Sequence, residues 1–192
     1  MIVGAGMGGL VLAQALARAG DDVSVHDRDA AAAATGGYRL HLDARACAAL
    51  RRHLAPGLFA AIRSSAADPR TFRQFALTDH RMRVLAVDDR DPGEERLLIG
   101  RVPLRTLLCR GIEDRVRFGA TFTGFEVRPD QRVVVHVADG SSSLADLLVG
   151  ADRAGSRVAG VLTPVVLLSL IAVTQVRAGR AHGEASSTPH LS

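Results

Sequence analysis

The chain has 192 residues, of which 47% are hydrophobic and 23% charged, enough for one domain with a real core and unlike a disordered chain. Its cysteines, Cys47 and Cys109, exclude a disulfide framework, and their spacing matches no metal site. Every one of the 24 basic residues is arginine, and against 20 acidic residues the net charge is only +4. The arginines do not cluster and aromatics are sparse, so nucleic-acid binding is not expected. The chain opens directly on Met1-Ile2-Val3-Gly4 with no basic-then-apolar leader, so a cytoplasmic location is expected.

In chain order, Met1-Ile2-Val3 is an apolar stub before the glycine cluster Gly4-Ala5-Gly6-Met7-Gly8-Gly9. A helix follows over 10–19, stopped by Gly20. Residues 23–26 (Val-Ser-Val-His) are a strand ended by Asp27-Arg28-Asp29, completing a βαβ start. Gly36-Gly37 marks a loop and residues 39–42 are extended. Asp43 can cap a helix over 44–54 with Cys47, Leu50 and Leu54 on one face, and Pro56 restarts a helix to about residue 64. Alternation over 72–78 and 83–88 predicts an antiparallel pair, and 97–99 a short strand. Pro103 opens a helix from Leu104 to Glu113 with Leu104, Leu107, Leu108 and Ile112 inward. Strands are expected near 116–118, 121–127 and 132–138; after the Asp139-Gly140 turn, one more strand runs from Leu144 to Val149. From Val158 to Val176 no side chain is charged, and 177–192 has no periodicity and reads as a disordered end.

The chemistry sits in Gly4-x-Gly6-x-x-Gly9, placed between a strand and a helix. The first glycine permits a tight turn, the second lets the backbone approach a pyrophosphate, and the third lets the helix lie close to the strand. The helix N-terminus then offers free N–H groups and a partial positive charge to phosphates. An acidic residue at the end of the second strand should hold the ribose, and Asp27 lies there. It disfavours a 2′-phosphate, so FAD or NAD is expected at this site rather than NADP. Among histidines, none has metal-pair spacing such as H-E-x-x-H, and there is no G-x-S-x-G elbow. His26 reads as a packed strand residue.

Residues 3–10 with the 23–28 strand resemble the amino-terminal half of the FAD-dependent aromatic hydroxylases, the single-component flavin monooxygenases of the para-hydroxybenzoate hydroxylase type. Three further segments are similar to that family: Gly36-Gly37-Tyr38-Arg39-Leu40, Arg101 through Leu108, and 148–152 (Leu-Val-Gly-Ala-Asp) followed by Ser156-Arg157-Val158. The resemblance covers residues 1–158. It implies a Rossmann-like, three-layer α/β FAD-binding domain over 1–157, truncated, with 70–100 part of a substrate-layer sheet. It also implies that FAD is the cofactor, with NADPH or NADH as co-substrate. In the family, reduced flavin and O₂ hydroxylate an aromatic or polyketide-like small molecule.

The implied cofactor-binding residues are Gly4, Ala5, Gly6, Gly8 and Gly9 at the pyrophosphate, Asp27 at the ribose and Arg28 beside the adenosine. Arg39 would lie near the flavin entrance, Arg101 at the pyrophosphate or flavin side, and Asp152 in a second fingerprint. Residue by residue, Arg101 also reads as a helix-start charge, Arg39 as a solvated strand residue and Asp152 as a turn residue. Two departures stand out: Arg153 follows Asp152 where the family carries glycine, and no Gly-Asp third fingerprint is present. No side chain is expected as catalytic acid or base. The segment 158–192 is unlike the family; a membrane span over 158–176 is not favoured because polar residues and Pro164 dilute it. The remaining alternatives are a non-catalytic FAD- or nucleotide-binding fragment and an NAD-dependent oxidoreductase domain.

Overall fold

The computed structural model describes residues 1–68, 74–89, 95–153, 155–162 and 174–177. A five-stranded sheet runs in the order β12-β11-β1-β2-β7, comprising β1 (Ile2–Val3), β2 (Val25–His26), β7 (Val116–Arg117), β11 (Leu147–Gly150) and β12 (Thr174–Arg177). β11, β1, β2 and β7 are mutually parallel and β12 is antiparallel to β11. α1 (Met7–Ala19) is the crossover between β1 and β2, and Gly20, at φ +89, closes it with an N–H donated to the Ala17 carbonyl.

Strand alternation sorts the side chains into two cores. Ile2, Val25 and Val149 face α1, α2 (Ala44–His53), α3 (Pro56–Ser65) and α4 (Arg101–Cys109). Val3 and Leu148 face the other way, onto Phe122, Val133 and Val135 of a meander formed by β8 (Phe122–Val127), β9 (Val133–Val137) and β10 (Ser142–Ala145), and onto Val158 of α5 (Arg157–Leu162). Helices, parallel sheet and meander are the three layers expected of a Rossmann-like α/β domain. Asp43 caps α2 by accepting the Ala46 N–H at 2.8 Å, as its side chain predicts.

Some boundaries differ from the sequence reading. α4 starts at Arg101, two residues before Pro103, and ends at Cys109, with a single 3₁₀ turn at Glu113–Arg115 after it. Proline is tolerated in the first turn because its missing N–H has no intrahelical partner there. The single strand expected over 144–149 is two: β10 pairs with β9, while β11 enters the parallel sheet, so the chain changes layer at Asp146. Period-two alternation continues through such a corner and does not reveal it.

β3 (Arg39–Leu42) pairs antiparallel with β6 (Leu97–Gly100), and β4 (Gln74–Thr78) with β5 (Val84–Asp89) in a hairpin that leaves Leu77, Val84 and Leu85 exposed. α5 crosses the 157/158 boundary, and Val158 is fully buried in the second core. Residues 163–173 and 178–192, which hold most of the uncharged stretch and the expected disordered end, lie outside the described residues. Among the described residues no helix is long and apolar enough to cross a membrane, and no group of three or more His, Cys, Asp or Glu side chains could hold a metal ion.

The glycine turn sets the approach of α1 to the sheet. A Cβ on Gly9 would sit 2.0 Å from the Gly4 carbonyl oxygen, whereas one on Gly8 would meet nothing within 4 Å. Gly9→Ala is expected to destabilise the chain by about 3 kcal/mol, because backbone cannot yield to the intruding methyl. Gly8→Ala should be neutral or stabilising by up to ~1 kcal/mol. Urea unfolding of the two variants beside the parent measures both.

Candidate functional site

The first βα turn is built from backbone requirements. Gly4 adopts φ +110, and a Cβ there would lie 2.4 Å from the Ala151 carbonyl oxygen at the end of β11, so both conformation and space demand glycine. Gly6 precedes α1 in ordinary extended geometry, and its nearest contact for an added Cβ is Ala151 O at 4.0 Å. Gly6 therefore faces open space. It lines a crevice with Gly4, with Asp27 and Arg28 after β2, with Asp152, Arg153 and Arg157 after β11, and with Thr121 and Phe122. The first N–H groups of α1 have no intrahelical acceptor, and no acidic side chain occupies its first turn. Such an end suits an anion.

Asp27 is buried, and the fold itself engages its carboxylate. Oδ2 accepts the Ala5 N–H at 2.6 Å and Oδ1 accepts the Asp29 N–H at 2.8 Å. A carboxylate has about four acceptor sites, so capacity for a further hydroxyl remains. Ala5 is different from the other glycine-cluster residues. Its N–H goes to Asp27 and its carbonyl accepts from Arg105, so it shapes the turn and keeps no free backbone donor.

Arg105 is the residue that sequence reasoning missed. It is fully buried, and its Nε donates to the Ala5 carbonyl at 2.8 Å. Nη1 donates to Asp29 Oδ2 at 2.6 Å, Nη2 lies 3.2 Å from Asp27 Oδ1, and the guanidinium covers the Phe118 ring at 5.3 Å. A signal was present: Arg105 falls three residues before Leu108 and next to Leu104, on the buried stripe of the helix, where a charge needs partners.

The remaining expected residues divide. Asp152 lines the crevice, but its carboxylate accepts from the Ser156 hydroxyl at 2.5 Å and from the Arg157 N–H at 2.7 Å, so it also ties the loop into α5. Arg39 and Arg101 are not on the crevice wall. They come together at the β3–β6 corner, where Arg39 is exposed with its guanidinium 5.0 Å from the Tyr38 ring. Arg101 packs on Gly37, which has φ +98; a Cβ there would lie 3.1 Å from Arg101 Nη1. Arg101 Nε is buried without a hydrogen-bond partner among the described residues. Arg153 adopts φ +79, a conformation that favours the glycine expected at this position and costs arginine about 1 kcal/mol.

His26, 6% exposed, lines the crevice with Nδ1 buried and unpartnered among the described residues. Burial, then the Arg117 and amino-terminal charges, lower its pKa, with Asp139 opposing. The imidazole is thus held neutral in the fold. Its contribution is complete above the unfolded value of about 6.5 and is lost as pH falls below that value toward the lowered folded pKa. Unfolding free energy should therefore decline from about pH 6.5 downward, and His26→Leu should flatten that slope; denaturant melts across the range test it. Arg105→Met should destabilise by about 3 kcal/mol or more, because Asp27 and Asp29 lose their shared cation. Arg105→Lys should recover little, since one ammonium cannot replace the fork. Thermal and urea unfolding of both variants measure this.

Comparisons with known proteins fall on this same part of the chain. Residues 2–45 match the family model of the NAD(P)-binding Rossmann-like domain. The FAD-dependent monooxygenase dbaB of Emericella nidulans is 33% identical over 183 residues, covering 88% of this chain and 46% of that protein. The crystal structure of a Photorhabdus luminescens subsp. laumondii protein, assigned as an FAD-containing monooxygenase, superposes with a TM-score of 0.65 at 29% identity. It covers 81% of this chain and 39% of that one. The fold also matches 2-methyl-3-hydroxypyridine-5-carboxylic acid oxygenase, with a TM-score of 0.68 at 20% identity over 84% of this chain and 41% of that one. The chain thus spans less than half the length of these proteins. Over most of its length the chain is similar in sequence and fold to a part of proteins named as FAD-dependent monooxygenases.

Proposed function

We propose that this chain binds FAD through the glycine-turn crevice and carries the dinucleotide-binding portion of a flavin monooxygenase. The observation that carries this reading is the cradle itself. Gly4 and Gly9 are excluded from bearing side chains by backbone oxygens at 2.4 and 2.0 Å, while Gly6 opens onto the crevice. The side-chain-free turn leaves room for close backbone approach beside a helix start whose N–H groups lack an intrahelical acceptor, and a diphosphate fits such a place.

In this reading the α1 N–H groups near Gly6 and Gly8 hold the diphosphate, Asp27 the ribose, and Arg28 lies beside the adenosine. Arg39 and Arg101 serve the flavin side; the unpartnered Arg101 Nε supports a polar guest there. Asp152 braces the opposite lip. Bound FAD would supply the electron transfer from NADPH or NADH to O₂ that no protein side chain can perform. The substrate class is an aromatic or polyketide-like small molecule, as the family resemblance implies. The chain itself orients the cofactor and fixes the charges around its phosphates.

A second reading is that the chain binds the dinucleotide without turning over. Purified chain should quench added FAD fluorescence while showing little substrate-dependent NADPH oxidation. Gly6→Val, whose Cβ has clearance but whose methyls enter the crevice, should keep the thermal midpoint and weaken FAD binding at least tenfold, ~1.4 kcal/mol. Preferential binding of NADH over FAD would select the NAD-dependent alternative instead.

A further inference from the structure

Arg153 stands in a conformation that glycine would take without strain, and the surrounding loop explains why it is held there. Asp152 is fixed to the Ser156 hydroxyl and the Arg157 N–H, and Gly155 turns the chain at φ +78. Between these anchors Arg153 is forced to φ +79. Its side chain, 40% exposed, reaches over the crevice so that Nη2 lies 3.7 Å from Asp29 Oδ2. That pair joins the lip after β2 to the lip after β11.

The charges on these lips are unequally satisfied. Asp29 is already held by Arg105 at 2.6 Å, and Asp27 by two backbone N–H groups and the same guanidinium. Asp152 is satisfied within its own loop. Among the described residues Arg153 has only the long contact to Asp29, and an ion pair at that separation with a part-exposed guanidinium is weak. Its charge is therefore surplus to the acids around it, at a crevice that Gly4 and Gly6 also line. A planar, always-charged fork matches phosphate oxygens better than it matches a carboxylate already paired elsewhere.

We propose that Arg153 is a diphosphate-binding residue: its guanidinium leaves Asp29 and pairs with the diphosphate of a dinucleotide resting on the glycine turn, in place of the backbone approach a glycine would allow. This rests on the dinucleotide reading of the crevice. The test is calorimetric titration of the full chain and its R153G, R153A and R153K variants with ADP and with adenosine, beside FAD binding and thermal unfolding. ADP affinity should fall about tenfold in R153G and R153A and recover in part in R153K, with adenosine affinity unchanged. The R153G melting temperature should equal or exceed that of the parent, because glycine accepts φ +79, so the loss cannot be assigned to unfolding. ADP binding that is equal or tighter in R153G overturns the proposal alone. Parent chain that binds neither ADP nor FAD overturns the dinucleotide reading, and this proposal with it.

Discussion

One buried cation organises the site. Arg105 brings its guanidinium from α4 to a turn 100 residues earlier in the chain, donating to the Ala5 carbonyl and to Asp29 and lying beside Asp27. Removing that charge from water costs several kcal/mol unless it is compensated; here the Ala5 carbonyl takes Nε and Asp29 takes Nη1, while Nη2, without a hydrogen-bond partner among the described residues, has Asp27 Oδ1 at 3.2 Å as its ion-pair partner. The consequence reaches beyond Arg105. With Asp27 oriented, its other oxygen grips the Ala5 N–H, so the glycine turn, the end of β2 and the start of α4 become one interlocked unit. A cradle fixed in this way needs little reorganisation when a guest enters.

The sheet beneath is economical. β1 has two residues, yet its flanking groups bond on both sides: Ile2 N–H to the Ser24 carbonyl, Gly4 N–H to that of His26, and the Val149 and Ala151 N–H groups to those of Met1 and Val3. Each of its two side chains enters a different core, so even this short strand joins the helical layer to the meander. Close approach finishes the work. Gly4 lets the turn touch Ala151, and Gly150 lets Val158 press onto β11, where a Cβ would lie 2.9 Å from the valine. The lips of the crevice are thereby set by backbone contact.

Charge is arranged in two places rather than one. The crevice collects Asp27, Arg28, Asp152, Arg153 and Arg157, whereas Arg39 and Arg101 meet at the β3–β6 corner beside Gly37.

The sequence by itself determined the parts that depend on local backbone chemistry. Gly4 and Gly9 could be assigned their steric roles, Gly20 and Asp43 their capping roles, and Asp27 its place at the end of β2, because each follows from what one residue's conformation permits. What the tertiary structure decided involves partners far apart. The role of Arg105 required knowing that α4 packs on the first turn. The change of layer at Asp146 required two sheets that a single alternating pattern cannot distinguish. The left-handed turn at Arg153, and its reach to Asp29, arise because loops after β2 and β11 are brought face to face by parallel pairing through β1. Periodicity and capping encode neighbours within a few residues; contacts across 100 residues exist only once the layers close.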